Sequence, residues 1–220
     1  MNIKNTYKII IVDDHALFRE GIKLLIEHEK IGEVIAELEN GQKFLEFIVD
    51  EKPDIVLMDI DMPIMNGIEA TQKALELYPD LNILVLSMHG DQNHYNQLIN
   101  AGAKGFVLKT SGKKELQNAI TTVSQGDSYF SSELLRKIIV EISKPKEHDK
   151  SNKLNIDFTE RELEVLGYLC GGFTVSEIAD KMFLSVKTIE AYRSKLLQKT
   201  GVKNTICLVL FAIKNKIVSL

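Results

Sequence analysis

The sequence predicts an α/β domain with a doubly wound, five-stranded parallel sheet, followed by a small all-α helix-turn-helix domain. Over the first 125 residues, short apolar runs such as Ile9–Val12 and Ile83–Leu86 alternate with amphipathic segments, and continuous apolar runs are typical of strands buried on both faces. After Gly126 the strand pattern stops and helical periodicity alone continues. The two halves also differ in charge, because residues 1–125 carry a net −7 and residues 159–220 a net +3.

Composition and hydropathy narrow the class of protein. With 220 residues, 45% apolar and 26% charged, the chain resembles a globular protein rather than a collagen, a disordered segment or a disulfide scaffold. Its apolar runs are all shorter than the roughly 18 residues that a membrane-spanning helix needs, and the polar segment 1–7 lacks the pattern of a secretory signal. We therefore expect a cytoplasmic protein without a membrane partner, in which Cys170 and Cys207 are buried free thiols.

The first domain, residues 1–126, is predicted to contain five strands and the helices that connect them. Five βα repeats imply a parallel sheet with helices on both sides, in the strand order 2-1-3-4-5. The predicted strands are Lys8–Val12, Gly32–Leu38, Asp54–Met58, Leu81–Ser87 and Lys104–Val107. The predicted helices lie near residues 15–29, 41–50, 66–77, 91–101 and 112–125.

A linker, residues 127–156, is predicted to precede the second domain. One helix is expected within it at about 131–142, and the rest is polar and charged without an apolar period. The second domain, residues 157–220, begins with Thr159 and Glu162 in the spacing of a capping box. Its predicted helices are 159–170, 174–181, 185–199 and 204–214.

The predicted strands of the first domain end in charged and polar residues. Because the carboxyl ends of parallel strands meet at one edge of the sheet, these side chains are expected to converge. They are Asp13 and Asp14 after strand one, Asp59 after strand three, Ser87 at the end of strand four and Lys109 after strand five. Any one of them alone is more commonly a solvated loop residue, but all five at the same edge indicate a site.

The residue types at this edge predict phosphoryl chemistry. Clustered carboxylates repel one another unless a cation neutralises them, and a hard ion such as Mg²⁺ prefers oxygen ligands. Asp59 is then the candidate nucleophile that forms an acyl phosphate. Mg²⁺, Lys109 and the Ser87 hydroxyl would stabilise the charge on the phosphoryl oxygens.

Residues 8–125 resemble the receiver domain of bacterial two-component response regulators, which has a flavodoxin-like fold. The matching segments are IIIVDDH, LMDIDMPIMNG, LVLSMH and GAKGFVLK. The resemblance implies that Asp59 is the phosphoacceptor and that Asp14 binds Mg²⁺ directly, with Asp13 assisting. It also implies that the backbone carbonyl of Asp61 completes the metal ligands. Ser87 and Phe106 match the hydroxyl and the aromatic ring that rearrange on phosphorylation.

The second domain has the pattern of a helix-turn-helix with a DNA-reading helix at about 185–199. Short and cationic side chains on one face of that helix suit the major groove, where they read base edges. Further cationic and polar residues nearby are candidates for phosphate contacts. A helical bundle with a solvated charged face is the alternative. The predicted DNA-binding residues are Lys187, Thr188, Glu190, Ala191, Arg193, Ser194, Lys195, Lys199, Lys203 and Asn204.

Residues 158–204 resemble the LuxR-type DNA-binding domain, and the whole chain is identified as similar to the NarL/FixJ subfamily of response regulators. The matching elements include TERE, SEIA, SVKTI and KTGVKN. The resemblance implies a transcription regulator that binds double-stranded DNA as a homodimer through the helix at about 185–199, with helix 204–214 supplying an interface between the two copies. Its implied partners are a sensor histidine kinase and, as a further candidate, RNA polymerase. Glu190 and Tyr192 depart from residues common in the family, so the target sequence does not transfer from relatives.

Two other functions compete with this interpretation. Asp59 and Asp61 also satisfy the Asp-x-Asp signature of haloacid-dehalogenase phosphatases, although that family places its signature on an early strand. The other alternative is a DNA-binding regulator that acts without phosphorylation, against which the complete acidic pocket argues. We expect no enzyme in the usual sense, only slow autodephosphorylation of the acyl phosphate.

Overall fold

The chain folds as two compact units, Met1–Ser131 and Ser132–Leu220. The computed structural model describes residues 7–88, 97, 101–130 and 156–218. The predicted helix at 131–142, the linker up to residue 155 and most of the predicted helix 91–101 lie outside these residues.

The first unit is a parallel sheet flanked by helices, as predicted. Its strands are β1 (Tyr7–Val12), β2 (Gly32–Leu38), β3 (Ile55–Asp59), β4 (Ile83–Ser87), β5 (Gly105–Leu108) and β6 (Tyr129–Phe130). Their order is β2-β1-β3-β4-β5-β6, with every neighbouring pair parallel. The described helices are α1 (Ala16–His28), α2 (Gly41–Phe47), α3 (Gly67–Leu77) and α4 (Lys113–Ser124).

The sixth strand corrects the prediction of five. Tyr129 and Phe130 pair in parallel with Gly105 and Phe106 of β5. This strand has only two residues, and alternation over four or more residues is needed before a strand shows in the hydrophobic pattern. The five predicted strands and their order 2-1-3-4-5 are confirmed, with β6 added beside β5.

Burial explains why these segments form a sheet. The strands β1, β3 and β4 place their apolar side chains in the core, where Ile9, Leu57 and Leu84 are fully buried. They share a core cluster with side chains from α1 and α4, including Ile26 and Ile120. Because both faces of the central strands are covered, their continuous apolar runs are accounted for.

The second unit is entirely helical in its described part. Its helices are α5 (Glu160–Cys170), α6 (Val175–Met182), α7 (Val186–Thr200) and α8 (Thr205–Lys214). They enclose one apolar core in which Val165, Ile178, Ile189, Leu196 and Leu208 are fully buried. Each helix begins within one residue of its predicted start.

Polar side chains set the starts of most helices. In each case an oxygen of the residue before the helix accepts a backbone N–H of the first turn, which satisfies one of the donors that a helix start leaves unpaired. The capping residues are Asn40 for α2, Asn66 for α3, Thr159 for α5, Thr174 for α6, Ser185 for α7 and Asn204 for α8. The capping box predicted at Thr159 and Glu162 is confirmed.

Across the described ranges, no single helix has both the length and the apolar content to cross a bilayer. Helices α7 and α8 taken together meet that test, with a bend of 59° between them.

Candidate functional site

The carboxyl ends of β1, β3 and β5 bring three buried charged side chains into contact. Asp13 directly follows β1, Asp59 ends β3, and Lys109 directly follows β5. The Lys109 Nζ atom lies 2.6 Å from Asp13 Oδ2 and 3.0 Å from Asp59 Oδ2. None of the three side chains exposes more than 5% of its surface. Three of the groups predicted from the strand ends therefore meet in one buried pocket.

Asp14 and His15 form the exposed rim of this pocket. His15 Nδ1 lies 2.8 Å from Asp14 Oδ1 and 3.4 Å from Asp13 Oδ1. One donor atom from each of these residues and from Asp59 lies within 4.8 Å of the others. Carboxylate oxygens grouped in this way suit a hard divalent cation such as Mg²⁺. Asp61, predicted to offer its backbone carbonyl, is exposed two residues after the end of β3.

The surroundings of Asp59 favour the protonated form of its carboxyl group more than water does. Burial raises the pKa of the Asp59 carboxyl, and the charge of Asp13 acts in the same direction. Hydrogen bonds from Lys109 and from the backbone N–H of Ile60 oppose the shift, the latter over 2.8 Å to Asp59 Oδ1, but the pKa of Asp59 remains above its ordinary value. The contacts with Lys109 and Ile60 therefore do not fully offset the cost of burying this carboxylate beside Asp13. A divalent cation bound at the rim would favour the ionised form of these carboxylates.

Helix α1 contributes two contacts that sequence reasoning missed. Arg19 Nη1 donates a hydrogen bond to the backbone carbonyl of Asp13, which fastens α1 to the start of the acidic loop. The second contact is between Phe18 and the lysine of the pocket, since Lys109 Nζ lies over the Phe18 ring at 4.7 Å from its centroid. No sequence motif reveals either contact. Phe18 and Lys109 are far apart in the chain, and Arg19 contacts a backbone carbonyl rather than a side chain.

The loop from β3 to α3 packs directly on the backbone of Asp59. The N–H of Gly67 donates to the carbonyl of Ile60 over 2.8 Å, and Asn66 caps the helix that follows by accepting from the N–H of Glu69. A Cβ atom on Gly67 would lie 1.9 Å from the carbonyl oxygen of Asp59. This position therefore has room only for glycine, and α3 begins as close to the candidate nucleophile as backbone atoms allow.

The two residues predicted to form the switch both lie in the core. Ser87 ends β4 and is 1% exposed, and Phe106 in β5 is 4% exposed. The backbone N–H of Lys109 donates to the carbonyl of Ser87 over 2.7 Å, which joins the end of β4 to the pocket. The rearrangement of Ser87 and Phe106 on phosphorylation stays a prediction.

Six of the ten predicted DNA-binding residues are exposed to solvent on the second unit. Helix α7 is capped by Ser185, whose Oγ accepts from the N–H of Thr188 over 3.1 Å. Thr188 and Arg193 are half-buried. The exposed residues of the predicted set are Lys187, Glu190, Ala191, Ser194, Lys195 and Lys203.

Lys199 and Asn204 instead have intramolecular partners. Lys199 Nζ donates to Glu162 Oε2 over 2.7 Å and to the carbonyl of Asp157 over 2.8 Å. Asn204 is buried, and its Oδ1 accepts from the N–H of Cys207 as the cap of α8. An asparagine before an apolar helix is a known start signal, so the sequence contained the sign of this second role. Contact of these two side chains with DNA phosphates stays a prediction.

Glu162 is the buried acid that holds α5 and α7 together. Burial alone would raise the pKa of its carboxyl, but hydrogen bonds from Lys199, from the Thr159 backbone N–H and from Lys195 together lower it to about 2. Lys195 Nζ lies 3.3 Å from Oε1 and is half exposed. Two of the predicted DNA-binding lysines thus share one carboxylate, a link that the sequence pattern did not indicate.

Replacing Glu162 by Gln should destabilise the second unit by about 2 kcal/mol at neutral pH, since hydrogen bonds to charged groups contribute about 1.5–3 kcal/mol each. The folded-state pKa lies below the ordinary value of 4.5. The charge of Glu162 therefore stabilises the fold above pH 4.5, and this contribution is lost as the pH falls toward 2. Hydrogen exchange of the α7 amides in the full chain, followed against pH, measures both effects.

Glu164→Gln is the matched control for this prediction. Glu164 lies on the same helix and pairs with Arg161 over 2.8 Å, but both side chains are largely exposed. Exposed pairs of this kind contribute less than about 1 kcal/mol. Equal α7 protection in the Glu162 and Glu164 variants would contradict a structural role for the buried carboxylate.

Two family models match the chain. The response regulator receiver domain matches residues 9–121. The luxR family of bacterial regulatory proteins matches residues 157–212. The acidic pocket lies within the first match, and helices α5, α6 and α7 lie within the second.

Several relatives match this chain over nearly its whole length. The transcriptional regulatory protein DegU of Brevibacillus brevis is 34% identical, with 96% of this chain and 95% of the relative covered. The oxygen regulatory protein NreC of Staphylococcus epidermidis is 33% identical, with coverage of 96% and 98%. A solved structure of the Salmonella typhimurium RcsB response regulator, described for its conformational dynamism in DNA interaction, is 27% identical. The match covers 94% of this chain and 98% of the RcsB chain, with a TM-score of 0.58.

Proposed function

The chain belongs to the bacterial two-component response regulators that join a receiver domain to a LuxR-type DNA-binding domain, and we propose that Mg²⁺-dependent phosphorylation of Asp59 controls its binding to DNA. Members of this class are regulators rather than enzymes. The family assignment therefore leaves the Asp-x-Asp phosphatase alternative without support.

The observation that carries the proposal is the buried contact of Lys109 with Asp13 and Asp59 at the sheet edge. An ammonium that contacts two carboxylates can also donate hydrogen bonds to a phosphoryl group attached to one of them. It would then stabilise the negative charge on the phosphoryl oxygens. A carboxylate oxygen of Asp14 at the rim lies within 4.8 Å of carboxylate oxygens of Asp13 and Asp59. A purely structural ion pair would not need a third acid at the opening of the pocket.

The proposed reaction is attack by a carboxylate oxygen of Asp59 on the phosphorus of a phosphohistidine in a sensor kinase. The new bond is the O–P bond of an acyl phosphate, and the P–N bond to the histidine breaks, returning the imidazole of the kinase. Lys109 and the Ser87 hydroxyl would donate hydrogen bonds to the phosphoryl oxygens. Water attack on the acyl phosphate would reverse the modification slowly.

A Mg²⁺ ion fits the donor set of the pocket. Asp13, Asp14 and Asp59, with the backbone carbonyl of Asp61, would hold it, and when bound it neutralises charge on the phosphoryl oxygens. Carboxylate and carbonyl oxygens are the ligands that this ion prefers. Burial and the neighbouring charge of Asp13 both raise the pKa of the Asp59 carboxyl, and a bound cation would favour its ionised form.

The output of the switch would be transcription. Helix α7 would enter the major groove with its exposed face, and α8 would form the interface of a homodimer, so that two α7 helices meet half-sites about one helical turn apart. A cytoplasmic location would give the protein access to its kinase, to DNA and to RNA polymerase. Ser87 and Phe106, both buried, would transmit the phosphorylation signal by changing how they pack.

Replacing Lys187 by Ala should weaken binding to DNA about tenfold and reduce the salt dependence of the affinity by about one ion. Lys187 lies in the first turn of α7 with its side chain in solvent. The duplex is first selected from a random pool by the full chain, and fluorescence anisotropy then measures affinity at several salt concentrations.

Lys114→Ala removes the same charge from the exposed surface of the receiver unit and serves as the control. We expect its affinity and salt slope to match the wild type. Unchanged binding by the Lys187 variant would exclude the first turn of α7 from the DNA interface.

A further inference from the structure

The ammonium group of Lys109 contacts both carboxylates and an aromatic ring. The Lys109 side chain is 3% exposed, and its Nζ atom lies 2.6 Å and 3.0 Å from carboxylate oxygens of Asp13 and Asp59. The ring of Phe18, on α1, lies 4.7 Å from the same Nζ atom. This distance is within the roughly 6 Å at which the negative face of an aromatic ring attracts a cation.

We propose that Phe18 is a positioning residue for phosphorylation, because its ring holds the Lys109 ammonium at the place that the phosphoryl oxygens will occupy. This inference rests on the proposed function. When Asp59 gains a phosphoryl group, one carboxylate oxygen becomes part of the new O–P bond and is a weaker partner for the ammonium. A ring that does not change in the reaction would keep the ammonium in place while its anionic partners are rearranged.

The packing of Phe18 supports a fixed ring. Phe18 packs against the core cluster that includes Ile9, Leu57 and Leu116. Its neighbour Arg19 ties α1 to the Asp13 carbonyl. The ring is thus attached to the same loop that carries the acidic residues, so its position relative to the pocket is set by the backbone of α1.

Packing alone and attraction to the cation predict different responses to fluorination of the ring. Fluorine atoms withdraw electron density from the ring face and weaken its attraction for a cation, while the shape changes little. We therefore expect the rate of phosphoryl uptake from acetyl phosphate to fall stepwise through mono-, di- and pentafluorophenylalanine at position 18. The full loss should be about threefold to thirtyfold, the range that such a contact supplies.

Substitutions with the standard amino acids also test the role of the Phe18 ring. Phe18→Leu removes the ring and should slow uptake by a similar factor, whereas Phe18→Tyr retains the ring and should stay within about twofold of the wild type. Phe47→Leu, which shortens another half-buried phenylalanine of this unit, should leave the rate unchanged. Mg²⁺ affinity, measured by calorimetry on the full chain, should be equal in all of these proteins.

The experiment follows phosphoryl uptake by intact mass against time, with Mg²⁺ and acetyl phosphate in excess. A graded loss with fluorination at constant Mg²⁺ affinity would support the inference. Equal rates across the fluorinated series, with normal uptake by the wild type, would overturn it and leave the proposed function standing. No uptake by the wild type would overturn both.

Discussion

Incubation with acetyl phosphate and Mg²⁺ should add one phosphoryl group to the wild-type chain and none to the Asp59→Asn variant. The carboxylate of Asp59 is the nucleophile in the proposed reaction, and an amide at the same position is far less nucleophilic. The variant should fold, because an amide oxygen still accepts the hydrogen bond that the Ile60 N–H donates to Asp59 Oδ1. Intact mass spectrometry counts the phosphoryl groups directly.

Asp61→Asn is the matched control for this prediction. Asp61 is an exposed acid two residues along the same loop, and only its backbone carbonyl has a proposed role. The variant should therefore still accept one phosphoryl group. Uptake by the Asp59 variant equal to that of the wild type, or uptake that a chelator does not reduce, would contradict the proposed site.

Replacing Gly67 by Ala should destabilise the receiver unit by about 3 kcal/mol or more, the upper range for overpacking a buried position. The added Cβ would lie 1.9 Å from the carbonyl oxygen of Asp59 and 3.1 Å from the Cα of Ile60. Both are backbone atoms, so no side-chain rotation relieves the contact and the end of β3 has to move. Phosphoryl uptake should fall with stability, because the displaced residue is the proposed nucleophile.

Gly21→Ala is the control with the opposite sign. Gly21 lies inside α1, and a Cβ there would meet no atom within 4 Å. Alanine in place of glycine inside a helix stabilises by about 0.5–1 kcal/mol. Chemical denaturation of both variants measures the contrast, and a Gly67 variant as stable as the wild type would refute the close packing at Asp59.

The pocket was predictable from sequence because a parallel sheet turns position along the chain into position in space. Asp13, Asp59 and Lys109 lie at the carboxyl ends of β1, β3 and β5, whose apolar runs the sequence shows. The sheet order β1-β3-β4-β5 places these ends at one edge. The helix starts were predictable for a different reason. Thr159 and Ser185 are capping residues, which a pattern of three or four residues identifies. The two-residue strand β6 was too short for any periodicity.

Other contacts were beyond sequence reasoning because they depend on which faces meet. The ring of Phe18 reaches Lys109 only after α1 has packed on the sheet. Glu162 was predictable as a capping residue, but its contacts with Lys195 and Lys199 arise from the packing of α5 against α7. The sequence alone therefore did not show that two lysines of the predicted DNA-reading helix contact a buried carboxylate.

The most direct test of the account is the affinity of the selected duplex for the full chain with and without acetyl phosphate and Mg²⁺. We predict that treatment tightens binding by the wild type about tenfold, within the usual range of coupling between two sites, and leaves binding by the Asp59→Asn variant unchanged. Equal affinity of treated and untreated wild type, with the phosphoryl group verified on Asp59, would contradict the account. The protein would then be a DNA-binding regulator that acts independently of its phosphorylation.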